Sequence, residues 1–88
     1  MITEFSKRTN IPIKDILGRC RKPQIADVRH LYWKLLHEQK KYGWSKIARL
    51  NDVSHSSVIH GVNKVNTLLE IKDNRLTKLW DEVKDIEI

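Results

Sequence analysis

The segment from Trp44 to Lys64 constrains the fold of this 88-residue chain more than any other stretch. It has the pattern of a short amphipathic helix, a polar Asn-Asp turn at 51–52, and a second helix that begins with the run SHSS at 54–57. Asn and Asp favour turns, and Ser54 is a good candidate for the N-cap of the second helix. This pattern predicts a helix-turn-helix, a motif whose second helix can enter a DNA groove.

Apolar residues recur at helical spacing along the rest of the chain, and no alternating run bounded by hairpin turns suggests a strand. We therefore expect an all-α fold, a small bundle of about five to six helices that forms one domain over residues 1–88. The predicted helices span about 3–9, 12–17, 24–39 and 45–50, followed by the helix from Ser54 and a last helix capped at Asp73 or Asn74.

The long helix of residues 24–39 has one apolar stripe, which predicts its buried face. Arg29 and His30 fall outside this stripe, and we expect Trp33 to be a partly buried flank of the core. Gly61 stands inside a predicted helix, where glycine costs about 1 kcal/mol relative to alanine. Close approach of a neighbouring helix would explain that glycine.

Two shorter helices give further burial and capping predictions. Thr3 is the candidate N-cap of the first helix. On the helix of residues 45–50 the buried side chains are predicted to be Trp44, Ile47, Ala48 and Leu50. The side chains predicted to point away from the core are Ser45, Lys46 and Arg49.

The charge of the chain is unevenly distributed. The formal net charge is +6; residues 1–64 hold 13 Lys and Arg against 5 Asp and Glu, and residues 65–88 hold 4 against 6. A basic body with an acidic end is expected of a domain that turns one face to a polyanion. Charge alone does not separate nucleic-acid binding from the basicity that many small domains have by chance.

A basic connector, RCRKP at residues 19–23, joins two predicted helices. Three positive charges beside a proline are not expected inside a regular helix. Such a segment is either a solvated loop or an arm that reaches phosphates or a narrow minor groove, where arginine is favoured. Beside a helix-turn-helix we favour the arm, formed by Arg19, Arg21 and Lys22.

The second helix of the motif carries small polar side chains away from its buried valines. Short side chains let a helix lie deep in the major groove, and the free N–H groups of its first turn attract phosphates. The candidates for contacts to bases are Ser54, His55, Ser56 and Ser57. His60 lies on the same side, and Lys46 and Lys64 could neutralise flanking phosphates. The alternative is that the serines only cap the helix and the histidines only occupy the surface.

Catalysis and metal binding have little support in the sequence. No local motif joins the four histidines, the single Cys20 and the carboxylates, and the three glycines are too far apart for a phosphate-binding loop. One cysteine excludes an internal disulfide and fits a reducing, cytoplasmic setting. We expect no enzyme activity, no cofactor, no small-molecule substrate, no signal peptide and no membrane span.

Several segments together resemble a known family. Residues 13–17 (IKDIL) match an apolar-Asp-(Ile/Leu)-Leu segment, and residues 19–22 match a basic loop. Residues 25–30 (IADVRH) lie where the family has an apolar-Ala-x-x-Arg-Gln-like stretch. Residues 54–61 (SHSSVIHG) match a signature close to Gly-Gly-Arg-Asp-His-Thr-Thr-Val-(Leu/Ile)-His-Ala. Over roughly residues 5–85 the chain resembles domain IV, the C-terminal DNA-binding domain, of the bacterial replication initiator DnaA. The resemblance implies a Trp-repressor-like helix-turn-helix fold.

The resemblance also implies a role for each candidate residue. His55, Ser56 and Ser57 would contact bases in the major groove, and an arginine of residues 19–22 would reach the adjacent minor groove. Contacts to the backbone or to nearby bases would come from Arg29, His30, Ser45, Lys46 and Lys64. The implied partner is double-stranded DNA, and the implied location is the cytoplasmic nucleoid.

The turn departs from the family signature. Residues 51–54 replace the Gly-Gly-Arg-Asp loop with one residue fewer, and Val53 and Ser54 stand where the family has the arginine and the acidic residue. Because the family reads bases at these positions, we expect a preferred DNA sequence different from the family's usual one. The 88 residues hold no ATPase domain. The chain is expected to be the recognition module of a longer initiator, or a stand-alone regulator of a chromosome, phage or mobile element.

Two other interpretations of the basic surface stay open. The chain could be a protein-interaction module whose basic face meets an acidic partner, or it could bind RNA or DNA by charge alone. The serines and the histidine at the start of the second helix favour sequence-dependent binding of duplex DNA. Few exposed aromatic side chains are expected, which disfavours the stacking of single-stranded bases.

Overall fold

The computed structural model describes residues 2–18 and 22–86 of the chain. They form six helices: α1 (Ile2–Thr9), α2 (Ile13–Leu17), α3 (Pro23–Gln39), α4 (Trp44–Leu50), α5 (His55–Glu70) and α6 (Asn74–Val83). No strand occurs in these two ranges, and the predicted all-α fold is confirmed. The helix starts lie within one residue of the predicted ones. Arg19, Cys20 and Arg21 lie outside the described residues.

Helix α3 is the centre of the bundle because it packs against each of the other five helices. Its predicted stripe is buried from Val28 to Leu36. The fully buried side chains around it come from every other helix: Phe5, Ile16, Ile47, Val58, Val65, Leu76 and Val83. Each such side chain contributes roughly 1.5–3 kcal/mol through removal of its apolar surface from water.

Helices α3 and α5 approach most closely at Gly61. A Cβ atom placed on Gly61 would lie 2.6 Å from Cδ2 of His30 and 2.9 Å from Cζ3 of Trp33. Real Cβ atoms are essentially never this close to another heavy atom, so this crossing requires glycine. The predicted reason for a glycine inside this helix is therefore confirmed.

Local signals define the ends of α5 and α6. The Oγ of Ser54 accepts a hydrogen bond from the backbone N–H of Ser57, and the carboxylate of Asp73 accepts one from Leu76 N–H. Both predicted N-caps are confirmed. After α5 the chain reverses at Lys72, whose φ is 58°. The Asp73 N–H bonds to the carbonyl of Leu68, as in a Schellman motif.

Two predictions at helix termini and faces are wrong. Thr3 is not an N-cap, because α1 already begins at Ile2. Leu50 is 58% exposed, because the buried face of α4 is centred on Ile47, Ala48 and Asn51. Asn51 takes the inward position, with its side-chain amide donating to the carbonyl of Ile47 at 2.8 Å.

The outer side of α3 also differs from the prediction. Trp33 is 3% exposed and belongs to the core instead of its flank. Arg29 is 9% exposed, although it lies outside the apolar stripe. Its Nε and Nη2 donate to the carbonyls of Ile16 and Asp15 at 3.0 and 2.9 Å. The five-residue helix α2 leaves its last carbonyls without intrahelical partners, and the guanidinium of Arg29 satisfies two of them.

Candidate nucleic-acid interface

Helices α4 and α5 and the turn between them form the predicted helix-turn-helix. The turn is fixed by the hydrogen bond from Val53 N–H to the carbonyl of Ala48, at 3.0 Å. Asp52 has a φ of 53°, a left-handed conformation that lets the chain reverse sharply. Val53 packs against the core. The first turn of α5 is thus presented by a short and firmly bonded connection.

The side chains of the SHSS run are all exposed, but they have different hydrogen bonds. Ser54 Oγ lies 3.1 Å from the backbone nitrogen of Ser57 and 2.7 Å from Ser57 Oγ. These two hydroxyls therefore belong to the cap of α5. Within residues 2–18 and 22–86, no hydrogen bond engages the side chains of His55 or Ser56. His55 and Ser56 are the two members of the run that are free to meet a ligand.

The outward face of α5 continues this polar surface along the helix. His60, Asn63 and Thr67 are exposed on the side opposite the buried Val58 and Val65. The hydroxyl of Thr67 donates to the carbonyl of Asn63, at 3.0 Å, and does not extend into solvent as a free donor. The predicted position of His60, on the same side as Ser56, is confirmed.

His30 lies at the junction between α3 and α5. Its ring is half-buried, 5.1 Å from the ring of Trp33, and its Nδ1 has no hydrogen-bond partner among the described residues. Burial, together with the nearby positive charge of Lys64, lowers the pKa of His30 from 6.5 to about 4. The imidazole is therefore neutral near pH 7, and His30 supports the helix crossing at Gly61.

The predicted cations are placed on different elements. Lys22 is exposed at the N-cap of α3, and Ser45 and Lys46 are exposed at the start of α4. The Nζ of Lys46 lies 4.0 Å from the centroid of the Tyr42 ring, a distance for a cation–π contact. Lys64 is exposed on α5, with its Nζ 3.5 Å from the buried carboxylate of Asp27. Arg29 does not join them, because its guanidinium is bonded to α2.

Two exposed arginines were not among the predicted site residues. Arg49 lies one turn after Lys46 on the outer face of α4, and the helical spacing of three residues could have identified it. Arg75 comes from α6 and reaches Asp27 of α3, with Nη1 3.1 Å from Oδ2. No local pattern could have identified Arg75, because the two residues are brought together by the packing of distant segments.

Cations at the other end of the molecule are paired with carboxylates. Arg8 contacts Glu4 at 2.9 Å and Asp85 at 2.6 Å, and Lys84 contacts Asp81 at 3.0 Å. In contrast, Lys46 and Arg49 have no carboxylate partner within the described ranges. Lys46 and Arg49 therefore add positive charge beside the helix-turn-helix that no described carboxylate compensates.

Metal sites and membrane-spanning helices have no candidate among the described residues. No three His, Cys, Asp or Glu side chains there are arranged to hold a metal ion. No described helix combines the length and apolar character needed to cross a membrane.

Comparison with known proteins agrees with this geometry. Residues 1–65 match the family model described as the bacterial dnaA protein helix-turn-helix. The chain is 41% identical over 58 residues to the chromosomal replication initiator protein DnaA of Leptospira biflexa, which covers 66% of this chain and 13% of that protein. It is 33% identical over 84 residues to DnaA of Enterococcus faecalis, which covers 94% of this chain and 19% of that protein.

The chain spans less than a fifth of the length of these relatives. No solved structure matches it significantly. The family match covers α1 to α4 and most of α5, including the turn and the SHSS run. The helix-turn-helix is a DNA-binding motif, and its first helix, turn and second helix are all present with the expected caps. This chain belongs to the family of bacterial DnaA helix-turn-helix domains.

Proposed function

We propose that this domain binds double-stranded DNA with sequence preference, with the first turn of α5 in the major groove. The proposal rests on the difference in hydrogen bonding among the side chains of residues 54–57. Ser54 and Ser57 hold the helix terminus, while His55 and Ser56 are exposed and have no hydrogen bond within the described ranges. Two unengaged polar side chains on a rigid helix terminus are suited to hydrogen bonds with base edges.

The chemistry of the two side chains suits a groove floor. The serine hydroxyl can donate or accept, and a neutral imidazole offers one donor and one acceptor. Both are short, so the backbone of α5 can lie close to the bases, with its N-terminal N–H groups directed at a phosphate. The turn contributes little to base reading, because Val53 is packed on the core and Ser54 is occupied by the cap. Because Val53 and Ser54 do not read bases, we propose that this domain prefers a DNA sequence different from the family's usual one.

Cations on both sides of α5 supply the sequence-independent part of the affinity. We assign phosphate contacts to Lys46 on α4, to Lys64 on α5 and to Lys22 at the start of α3. The loop of residues 19–22, with Arg19 and Arg21, is proposed to enter the adjacent minor groove, because it joins α3 directly. Each phosphate neutralised releases counterions, so the affinity falls steeply as salt rises. Arg29 and His30 are proposed to act through the packing of α2 and α5 and not through DNA.

The names of the relatives suggest the biological setting. They are chromosomal replication initiator proteins, and this chain covers only their helix-turn-helix part. We propose that the domain recognises sites of the kind that initiators bind, as part of an initiator or as a separate regulator. A second candidate is an acidic protein partner. Lys46 and Arg49 on α4 support it, because they have no carboxylate partner among the described residues and would also attract carboxylates of another protein.

Selection from a random pool tests the main proposal. The domain is incubated with random-sequence duplexes at two salt concentrations, and the bound fraction is sequenced. We expect one enriched motif that persists at the higher salt, because base contacts are less salt-dependent than phosphate contacts. A bound pool without any enriched motif, at either salt, would favour binding by charge alone. No retention of duplex at low salt would favour the acidic protein partner.

A further inference from the structure

A single carboxylate joins three helices at the N-terminal part of α3. Asp27 is 8% exposed, and its two oxygens face two cations from different helices. Oδ2 is 3.1 Å from Nη1 of Arg75 on α6, and Oδ1 is 3.5 Å from Nζ of Lys64 on α5. A buried carboxylate is tolerated when cations compensate its charge. The position of Arg75 is therefore fixed by the core of the bundle, although its own side chain is 43% exposed.

The guanidinium of Arg75 lies at the start of α3, which follows the basic loop in the sequence. Its Nη2 donates to the carbonyl of Gln24 at 2.9 Å, and Gln24 is two residues beyond Lys22. Lys64 and Arg75 thus flank one carboxylate near the start of α3. Two positive charges against one negative charge leave this corner of the molecule positive.

Arg75 retains unused hydrogen-bonding capacity. Of its five N–H groups, one on Nη1 is directed at Asp27 and one on Nη2 at Gln24. No hydrogen bond to a described residue uses the other three, and the side chain is 43% exposed. A pair of guanidinium N–H groups matches two oxygens of a phosphate. Its two bonds to the protein reduce the side-chain entropy that would be lost on binding.

We propose that Arg75 is a DNA phosphate contact on the flank of the basic loop, and that Asp27 positions it together with Lys64. The proposal rests on the DNA binding proposed above and extends the interface to α6. The family match ends at residue 65, before α6 begins. This contact is therefore a property of this chain's last helix and not of the matched helix-turn-helix.

The test measures the salt dependence of binding to the duplex enriched from the random pool. Arg75→Gln removes the charge, Arg75→Lys keeps the charge without the fork, and Lys78→Gln removes an exposed charge elsewhere on α6. The logarithm of the DNA-binding constant falls linearly with the logarithm of the salt concentration. Loss of one phosphate contact should make this negative slope less steep by about 0.9. We expect this loss in Arg75→Gln, a slope close to the parent's in Arg75→Lys, and no change in Lys78→Gln.

The inference is overturned if Arg75→Gln and Lys78→Gln have the same slope while Lys64→Gln lowers it, because DNA binding would then stand without Arg75. If the unaltered chain does not retain the duplex at all, the proposed function and this inference fail together. Thermal unfolding of each variant shows that it is folded. Should Arg75→Gln not fold, Arg75→Met replaces it as the uncharged variant, and a slope equal to that of Lys78→Gln would overturn the inference in the same way.

Discussion

Gly61 of α5 packs directly against His30 of α3, since a Cβ on Gly61 would lie 2.6 Å from Cδ2 of the His30 ring. The family signature has alanine where this chain has Gly61. Here the rings of His30 and Trp33 occupy the space that the alanine methyl would take. A residue that looks unfavourable for a helix is thus the complement of two aromatic rings on the neighbouring helix.

Gly61→Ala should therefore destabilise the domain. Alanine gains about 1 kcal/mol in helix propensity, but overpacking against two rings costs up to roughly 3 kcal/mol. We expect a net loss of up to about 2 kcal/mol in the free energy of unfolding, measured by urea denaturation. Gly43→Ala is the matched control, because nothing lies within 4 Å of a Cβ there. A Gly61→Ala variant as stable as the Gly43→Ala control would show that the two helices separate without cost.

The same neighbours make His30 a source of pH dependence. Burial lowers its pKa from 6.5 to about 4 in the folded chain. Between these two values the unfolded chain binds a proton that the folded chain does not, so stability falls as pH drops from about 6.5 to about 4. Below about pH 4 both states are protonated at His30, and its contribution becomes constant.

His30→Gln isolates this contribution from that of the carboxylates, which titrate in both proteins. The free energy of unfolding, measured from pH 7 to pH 4, should decrease less in the variant than in the parent chain. Parallel curves for the two proteins over this range would mean that the ring of His30 protonates as readily in the folded chain as in the unfolded one.

Two serines of the same run should separate stability from recognition. Ser54→Ala removes the N-cap acceptor of α5 and should lower the free energy of unfolding by about 1 kcal/mol. Ser56→Ala removes no hydrogen bond of the described residues and should change stability by less than about 0.5 kcal/mol. Urea denaturation of the pair checks this order, and equal losses would contradict the assignment of Ser54 as the cap.

His55→Ala should reduce sequence selectivity without unfolding the domain. The side chain is exposed and starts α5, so its removal leaves no cavity. We expect a loss of roughly 1–3 kcal/mol on the enriched duplex and little change on a random duplex. Affinities for both duplexes, measured at one salt concentration, give the ratio that decides. If the ratio of the two affinities is unchanged in the variant, His55 does not contact bases, and the base contacts come from other residues of α5.

The caps of α5 and α6, the apolar stripe of α3 and the outward face of α5 were predictable because their causes are local. Ser54 and Asp73 precede apolar repeats, and the outward position of His60 follows from the helical period. The sequence of a seven-residue helix contains too few repeats to fix its phase, which is why Leu50 was predicted to be buried in the place that Asn51 occupies. The helix-turn-helix and the DnaA family were predictable because the SHSSVIHG run at residues 54–61 indicates both.

Contacts between distant segments were not predictable from local patterns. Arg29 was expected to face DNA, but its bonds to α2 depend on how two helices meet, and no spacing in the sequence encodes that meeting. The same holds for Arg75, which lies 48 residues from Asp27. Both arginines lie on polar helix faces, and their long side chains reach oxygen atoms of another helix. Both side chains therefore hold helices of the bundle together.

Lys72 offers a test of how the chain turns between α5 and α6. It follows the end of α5 with a φ of 58°, in the left-handed region where a Cβ is disfavoured and glycine is usual. Lys72→Gly should stabilise the domain by about 0.5–1 kcal/mol, because relief of this strain exceeds the extra backbone entropy of glycine in the unfolded chain. Lys78→Gly, in the interior of α6, is the control and should lose about 1 kcal/mol. Urea denaturation compares the two, and a Lys72→Gly variant less stable than the parent would mean that the lysine side chain contributes more at this turn than its backbone strain costs.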